Sequence, residues 1–243
     1  MMLGISFKRI HIEETDSTNT LAKLLAQDLG ENILVSTDFQ RAGRGQRGNS
    51  WESEQGKNLL FSLAIHPQGI LATQQFALCQ YISLILCEAL QSYTDDISIK
   101  WPNDIYWRDK KIAGILIEHD IEGAYLCRTI IGVGLNVNQN NFRSDAPNPI
   151  SLCQILGHEV ERETLLTEIQ TKLSKPTTFN EPDILHSRYT SLLYRQNIYA
   201  QYHDSQGTFM ARIHHVKYDG TLVLEDENAQ LRSYLFKEVS YII

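Results

Sequence analysis

The chain has 243 residues, 42% hydrophobic and 21% charged, a globular composition long enough to bury a core without disulfide or metal staples. The length suits one large domain plus a small one, or two modest domains. The formal net charge of -7 counts against a general nucleic-acid or membrane binder, which carries net positive patches, and leaves room only for a local basic site.

The N-terminal residues MMLGISFKRIHIEE contain no apolar targeting segment, and the longest apolar stretch, around Ile82 to Leu86, is too short to span a bilayer. A soluble, cytoplasmic protein is expected. The first strong element is a helix near Ser17 to Leu29, with a stripe of Leu21, Leu24, Leu25 and Leu29, a cap at Asp16 or Ser17, and a stop at Gly30. A short strand, Ile33 to Ser36, follows. Residues 40–50, QRAGRGQRGNS, form a loop with no anchoring apolar side chain. Asn58 to Ile65 reads as a strand and Gln75 to Tyr93 as a buried helix. Cys79 and Cys87 lie on this helix about 12 Å apart, too far for a disulfide; with Cys127 and Cys153 they form no CxxC pair, so reduced thiols are expected.

Ile97 to Trp101, Ile112 to Glu118 and Tyr125 to Asn138 are further strands, the first broken by Pro102. Helices are expected at Glu163 to Ser174 and Pro182 to Tyr194. After about Arg195 the pattern becomes short alternating strands with turns at His203 to Gly207, Asp219-Gly220 and Asp226 to Asn228, a small all-β module such as an SH3-like barrel. The large domain reads as α+β with mostly antiparallel strands.

Five segments carry chemistry. Glu14 to Asn19, ETDSTN, offers hydrogen-bonding groups at a helix start, or only a cap. Gly43 to Gly48, GRGQRG, lets backbone N–H groups approach an anion, with Arg41, Arg44 and Arg47 at three-residue spacing; a solvated basic loop or a nucleic-acid contact fits it as well. Lys100 to Asp104, KWPND, aims an amide and a carboxylate from a rigid turn, or is a polar turn only. In Lys111 to Glu118, KIAGILIE, Lys111 precedes Ala113 and Gly114, small enough for a flat ligand to pack beside. Gly132 to Asn138, GVGLNVN, suggests close approach by a ligand or backbone, or a bulge.

In this order and spacing, from about Glu14 to Asn138, the five segments resemble the biotin–protein ligase family. The resemblance implies a class II synthetase-like catalytic domain over residues 1–195, with a mixed, mostly antiparallel sheet, and an SH3-like β-barrel over 196–243. It implies ATP-dependent activation of biotin to biotinyl-5'-adenylate, then transfer to a lysine of a biotin carboxyl carrier protein. Ser17, Thr18, Asn19 and Gln40 would bind biotin. Arg44, Gly45 and Gln46 would fold over biotin and its adenylate. Trp51 would stack near adenine. Asn103 and Asp104 would sit near the phosphate and a Mg²⁺ brought by ATP rather than held by protein alone. Lys111 would meet the carboxylate and the adenylate, Gly114 and Ile115 would line the site, and Asn136 would face the nucleotide. Arg44, Lys111 and Asp104 carry the catalytic expectation, with Arg47 adding charge at the phosphate.

Gln46 departs from the family, which often has arginine there; the neutral side chain shifts load to Arg44 or Arg47. Only thirteen residues precede the first motif, so the form without an N-terminal DNA-binding domain is expected. Biotin, ATP and the carrier are the expected partners, with no nucleic acid or membrane; a homodimer is compatible. A lipoate–protein ligase-like acyl-adenylate transferase is the alternative, disfavoured because no histidine-containing lipoate motif is present.

Overall fold

The structure, a computed structural model, describes residues 6–143, 148–174 and 181–243, except the side chains of Asp28 and Arg47. Seven strands form the main sheet: β1 (Lys8–Thr15), β2 (Ile33–Gln40), β3 (Leu59–Ile65), β4 (Ile97–Lys100), β5 (Asp104–Trp107), β6 (Lys110–Glu122) and β7 (Tyr125–Leu135). Their order is β1-β2-β3-β7-β6-β5-β4. Only β1 and β2 run parallel; every other neighbouring pair is antiparallel, as expected.

Two strands were absent from the sequence reading. β1, KRIHIEET, is a half-exposed edge strand, and its charges, which blunt an open sheet edge, hide it from a hydrophobicity pattern. β5 begins at Asp104, so the KWPND turn closes a hairpin between β4 and β5.

Among the described residues five α-helices flank the sheet: α1 (Thr18–Leu29), α2 (Phe76–Leu90), α3 (Leu152–Leu156), α4 (Arg162–Leu173) and α5 (Pro182–Ser191). α2 is buried around its whole circumference, packed by α4 and α5 on the main core face. α3, missed in the sequence, is a single short turn with Ser151 as its cap. α1 lies on the opposite face, above Ile33, Val35, Ala64 and Ile130. The leucine stripe is not its buried face. Ala22 and Ala26 are buried, Leu21 and Leu25 pack at the edge, and Leu24 is 56% exposed. The helix sits so close to the sheet that small side chains fill the contact. Ser17 occupies the cap position but makes no side-chain cap bond, while Gly30 ends the helix in the left-handed region as expected.

The second sheet comprises β8 (Ala200–Asp204), β9 (Gly207–Val216), β10 (Leu222–Asp226), β11 (Leu231–Tyr234) and β12 (Ser240–Tyr241), all antiparallel, in the order β11-β10-β9-β8-β12. Its ends do not pair, so it is an open sheet rather than a hydrogen-bonded closed barrel. The expected turns fall between its strands; at the third, the Asp226 carboxylate accepts the backbone N–H groups of Asn228 and Gln230. The two sheets share one core. Phe236 packs edge-on against Trp101 at 5.4 Å, and Trp101 Nε1 donates to the Gly220 carbonyl at 2.9 Å. The second sheet thus buttresses the turn that carries Asn103 and Asp104. No helix among the described residues is long and apolar enough to cross a membrane. All four cysteines are free; burial pushes the Cys79 thiol up to about 12, which keeps it unreactive.

Candidate functional site

α1 covers only part of its face of the sheet. Beyond its N-terminus the floor is formed by Gly114 on β6 and by Gly132 and Gly134 on β7, and a cavity of about 1040 Å³ opens there. Ser17, Thr18, Asn19, Gln40, Arg44, Gly45, Gln46, Trp51, Asn103, Asp104, Lys111, Gly114, Ile115 and Asn136 all line it. Of the residues singled out in the sequence, only the Arg47 side chain lies outside the described residues.

One end of the cavity is lined by uncharged hydrogen-bonding side chains, held from outside the lining by the Glu118 carboxylate. Gln40 Oε1 accepts the backbone N–H of Thr18 at 2.8 Å and its hydroxyl at 3.1 Å. Ser62, fully buried on β3, has its hydroxyl 2.7 Å from Thr18 Oγ1 and 2.6 Å from Asn19 Oδ1; with one proton it serves one of them at a time. Asn19 Nδ2 donates to Glu118 Oε2 at 2.7 Å. Asn19 lies directly on Gly132, where any Cβ would overlap its amide. The glycine run is therefore a close approach and not a bulge, since β7 keeps its register there.

The other end is cationic and aromatic. Lys111 Nζ meets Asp104 Oδ1 at 2.7 Å, both side chains about a quarter exposed, and stands 5.6 Å from the centre of the Trp51 ring. Its placement depends on a bulge. Tyr106 pairs with Lys111 and Ile105 with Ala113, so Ile112 is an extra residue. Simple alternation would put Lys111 on the face opposite Gly114; the bulge turns both to the cavity, and the Lys111 ammonium hangs beside Gly114. Lys110 is exposed and outside the cavity. The Trp51 indole lies flat on Gly134, its N–H buried without a partner. Asn136 donates to the Ile150 carbonyl at 3.1 Å and keeps a buried, unpartnered Oδ1. Such orphaned groups beside a cavity are acceptors and donors available to a ligand. Asn103, by contrast, spends its amide N–H on the Ile115 carbonyl, so it braces the turn.

The loop of residues 40–50 is better tethered than its composition suggested. Arg41 reaches Asp16 at 2.6 Å and Glu14 at 3.2 Å, Arg44 reaches Glu118 at 3.1 Å, and Lys237 reaches the Gln46 carbonyl at 3.1 Å. These are exposed contacts of small net value, easily exchanged for a ligand. Several residues of the site were not singled out. Ser62 and Glu118 hold lining residues from outside the cavity; Ser62 left a legible trace as the one polar residue in LLFSLAI, and Glu118 sat unassigned inside a quoted motif. Of the wall residues, Lys100 sat unassigned in KWPND, and Tyr241 and Lys237, from the second sheet, left no trace. Lys100 stacks over Tyr106 and Tyr241, and burial lowers its pKa.

A model of the Biotin/lipoate A/B protein ligase family matches residues 11–136, which contain the first four motifs and the fifth as far as Asn136. Over 167 residues the chain is 35% identical to a Bifunctional ligase/repressor BirA of Bacillus subtilis, covering 66% of this chain and 50% of that protein. It is 33% identical over 161 residues to a Biotin--[acetyl-CoA-carboxylase] ligase of Paracoccus denitrificans, 64% of this chain and 67% of that one. The chain thus spans about half the length of the first of these relatives and two thirds of the second. Among solved structures it superposes on a biotin protein ligase from Aquifex aeolicus in complex with biotin and ATP, with a TM-score of 0.75 and 25% identity over 96% of this chain and 97% of that one.

Proposed function

The chain belongs to the Biotin/lipoate A/B protein ligase family, and we propose that it activates biotin with ATP and transfers it to a lysine of a biotin carboxyl carrier protein. The observation that carries the reading is a single cavity with two chemically distinct ends, one neutral and hydrogen-bonding, one cationic, joined at Lys111. The names of the Paracoccus and Aquifex relatives support the same substrates.

Biotin's fused-ring head is a neutral urea with a carbonyl acceptor and two N–H donors. Thr18, Asn19, Gln40 and Ser17 present matching donors and acceptors at the neutral end. The valerate chain runs over the glycine floor toward Lys111. There a carboxylate oxygen attacks the α-phosphorus of ATP; the bond from that phosphorus to the bridging oxygen breaks, and pyrophosphate leaves with the electron pair. Lys111, oriented by Asp104, steadies the carboxylate and then the charge growing on the phosphoryl oxygens. Arg44 exchanges Glu118 for the same oxygens. Trp51 and the free Oδ1 of Asn136 receive the adenine side. In the second half-reaction the neutral amine of the carrier lysine attacks the acyl carbon, the bond to AMP breaks, and the amine loses its proton. The second sheet, beginning after about residue 195, is a module that braces the KWPND turn and adds its own wall to the nucleotide end.

No group of three or more His, Cys, Asp or Glu among the described residues could hold a metal ion, and Asp104 is engaged by Lys111. Magnesium would arrive with the nucleotide, and the steps above do not depend on its placement.

The deciding assay incubates the protein with labelled biotin, ATP, Mg²⁺ and a biotin carboxyl carrier domain. Expected is one labelled lysine, with one pyrophosphate and one AMP per transfer. Labelling with lipoate in place of biotin, or none with either, would overturn the reading.

Loop chemistry makes a finer prediction. Arg44 carries a charge to the adenylate phosphate, whereas Gln46 cannot offer a charge-assisted bond. Arg44→Gly is therefore expected to release more free biotinyl-adenylate than Gln46→Gly. The measure is labelling of a bystander protein, and a leakier Gln46→Gly enzyme would reverse the assignment.

A further inference from the structure

Four described cations reach the cavity: Arg44, Lys100, Lys111 and Lys237. Two are already neutralised, Arg44 by Glu118 and Lys111 by Asp104. The other two rest on neutral partners. Lys100 lies over the faces of Tyr106 and Tyr241, and the Lys237 ammonium donates to the Gln46 carbonyl at 3.1 Å. Lys237 comes from the second sheet, on the short segment between β11 and β12, and is exposed at the cavity rim. It touches the loop at the backbone of Gln46, a neutral side chain between Arg44 and Arg47. Its backbone has φ 70°, a conformation that glycine adopts freely and lysine does not.

We propose that Lys237 binds the β- and γ-phosphates of ATP, supplying from the second sheet the positive charge that the loop lacks at Gln46. This rests on the ATP-dependent ligase reading above. The α-phosphate must meet the biotin carboxylate at Lys111, deep on the glycine floor. The rest of the triphosphate then projects outward past the loop, to the rim where Lys237 stands. An ammonium held only by a carbonyl is readily drawn to a phosphate oxygen, because a charge-assisted bond replaces a neutral one. Lys237 thereby reads the part of the nucleotide that becomes pyrophosphate, and it distinguishes ATP from AMP.

The test compares wild type with Lys237→Gly, Lys237→Gln and Lys237→Arg. Glycine removes the charge while relieving the backbone, so its Tm is expected unchanged or higher by up to about 4 °C. Glutamine keeps a polar stem without the charge and guards against a backbone artefact. Both neutral variants are expected to raise the KM for ATP about tenfold, the scale of one exposed charge-assisted bond. They should raise by the same factor the KM for inorganic pyrophosphate in the reverse reaction, which regenerates ATP and biotin from biotinyl-adenylate. The KM for biotin should not move, and Lys237→Arg should restore both phosphate constants. An unchanged ATP KM in the neutral variants would overturn the proposal. Equal rises for ATP and biotin would do so too, since they would make Lys237 a loop tether only. Wild type that forms no biotinyl-adenylate would instead overturn the ligase reading, and this proposal with it.

Discussion

Lys111→Ala is expected to slow biotinyl-adenylate formation by roughly two to three orders of magnitude, the usual cost of removing one group aimed at developing charge. The expectation rests on position. Lys111 is turned into the cavity by the bulge at Ile112, hangs beside Gly114, and is oriented by Asp104 at 2.7 Å. A cation that meets a carboxylate before reaction and a more highly charged phosphoryl group during it favours the transition state over the ground state. The rate constant should therefore fall more than substrate binding does. Lys110 is the internal control: it is adjacent, equally charged and exposed outside the cavity. Lys110→Ala should remain near wild type. Removing Lys111 leaves Asp104 without its partner, but that carboxylate is 22% exposed, so water compensates part of the loss and thermal melts should shift little. Single-turnover kinetics on both variants provide the measurement. Equal losses would mean that only general positive charge matters, and would remove Lys111 from the reaction.

Local motifs were legible because each carries its chemistry within a few consecutive residues. KWPND, GRGQRG and KIAGILIE keep their side chains and backbone constraints together, so they could be read before any fold was known. Elements that depend on tertiary contact were not legible. β1 is a strand because β2 offers it a parallel edge, although its own pattern is mostly polar. α1 buries alanines and leaves Leu24 to solvent because the distance to the sheet, not hydrophobicity, selects what fits. The bulge at Ile112 is invisible to period-two reasoning, although it decides where Lys111 points. A single lysine in LFKEVS has no local signal, and its place at the cavity rim comes only from how the second sheet docks.

Two glycines on β7 should separate the halves of the cavity. Gly132 lies under Asn19 and Gly134 under the Trp51 indole; a Cβ on either would fall far inside contact distance. The strand cannot yield, because β7 is paired on both sides, to β3 and to β6. The overlying side chain must move instead. In Gly132→Ala, Asn19 must leave Ser62 and Glu118, which dismantles the hydrogen-bonding network. In Gly134→Ala, the indole must lift from the floor. Such overpacking typically costs about 1–3 kcal/mol, equivalent to a roughly 5- to 150-fold weakening of whichever ligand uses the displaced group. Gly132→Ala is therefore expected to raise the KM for biotin by a factor in that range while affecting ATP much less. Gly134→Ala should do the reverse. Because the displaced groups are side chains at a cavity wall rather than core packing, both variants should fold, with modest losses in Tm. Steady-state kinetics with each substrate varied in turn give the four constants. If each substitution raises both KM values together, biotin and nucleotide do not divide the cavity at Lys111, and the residue roles assigned on either side of it would have to be redrawn.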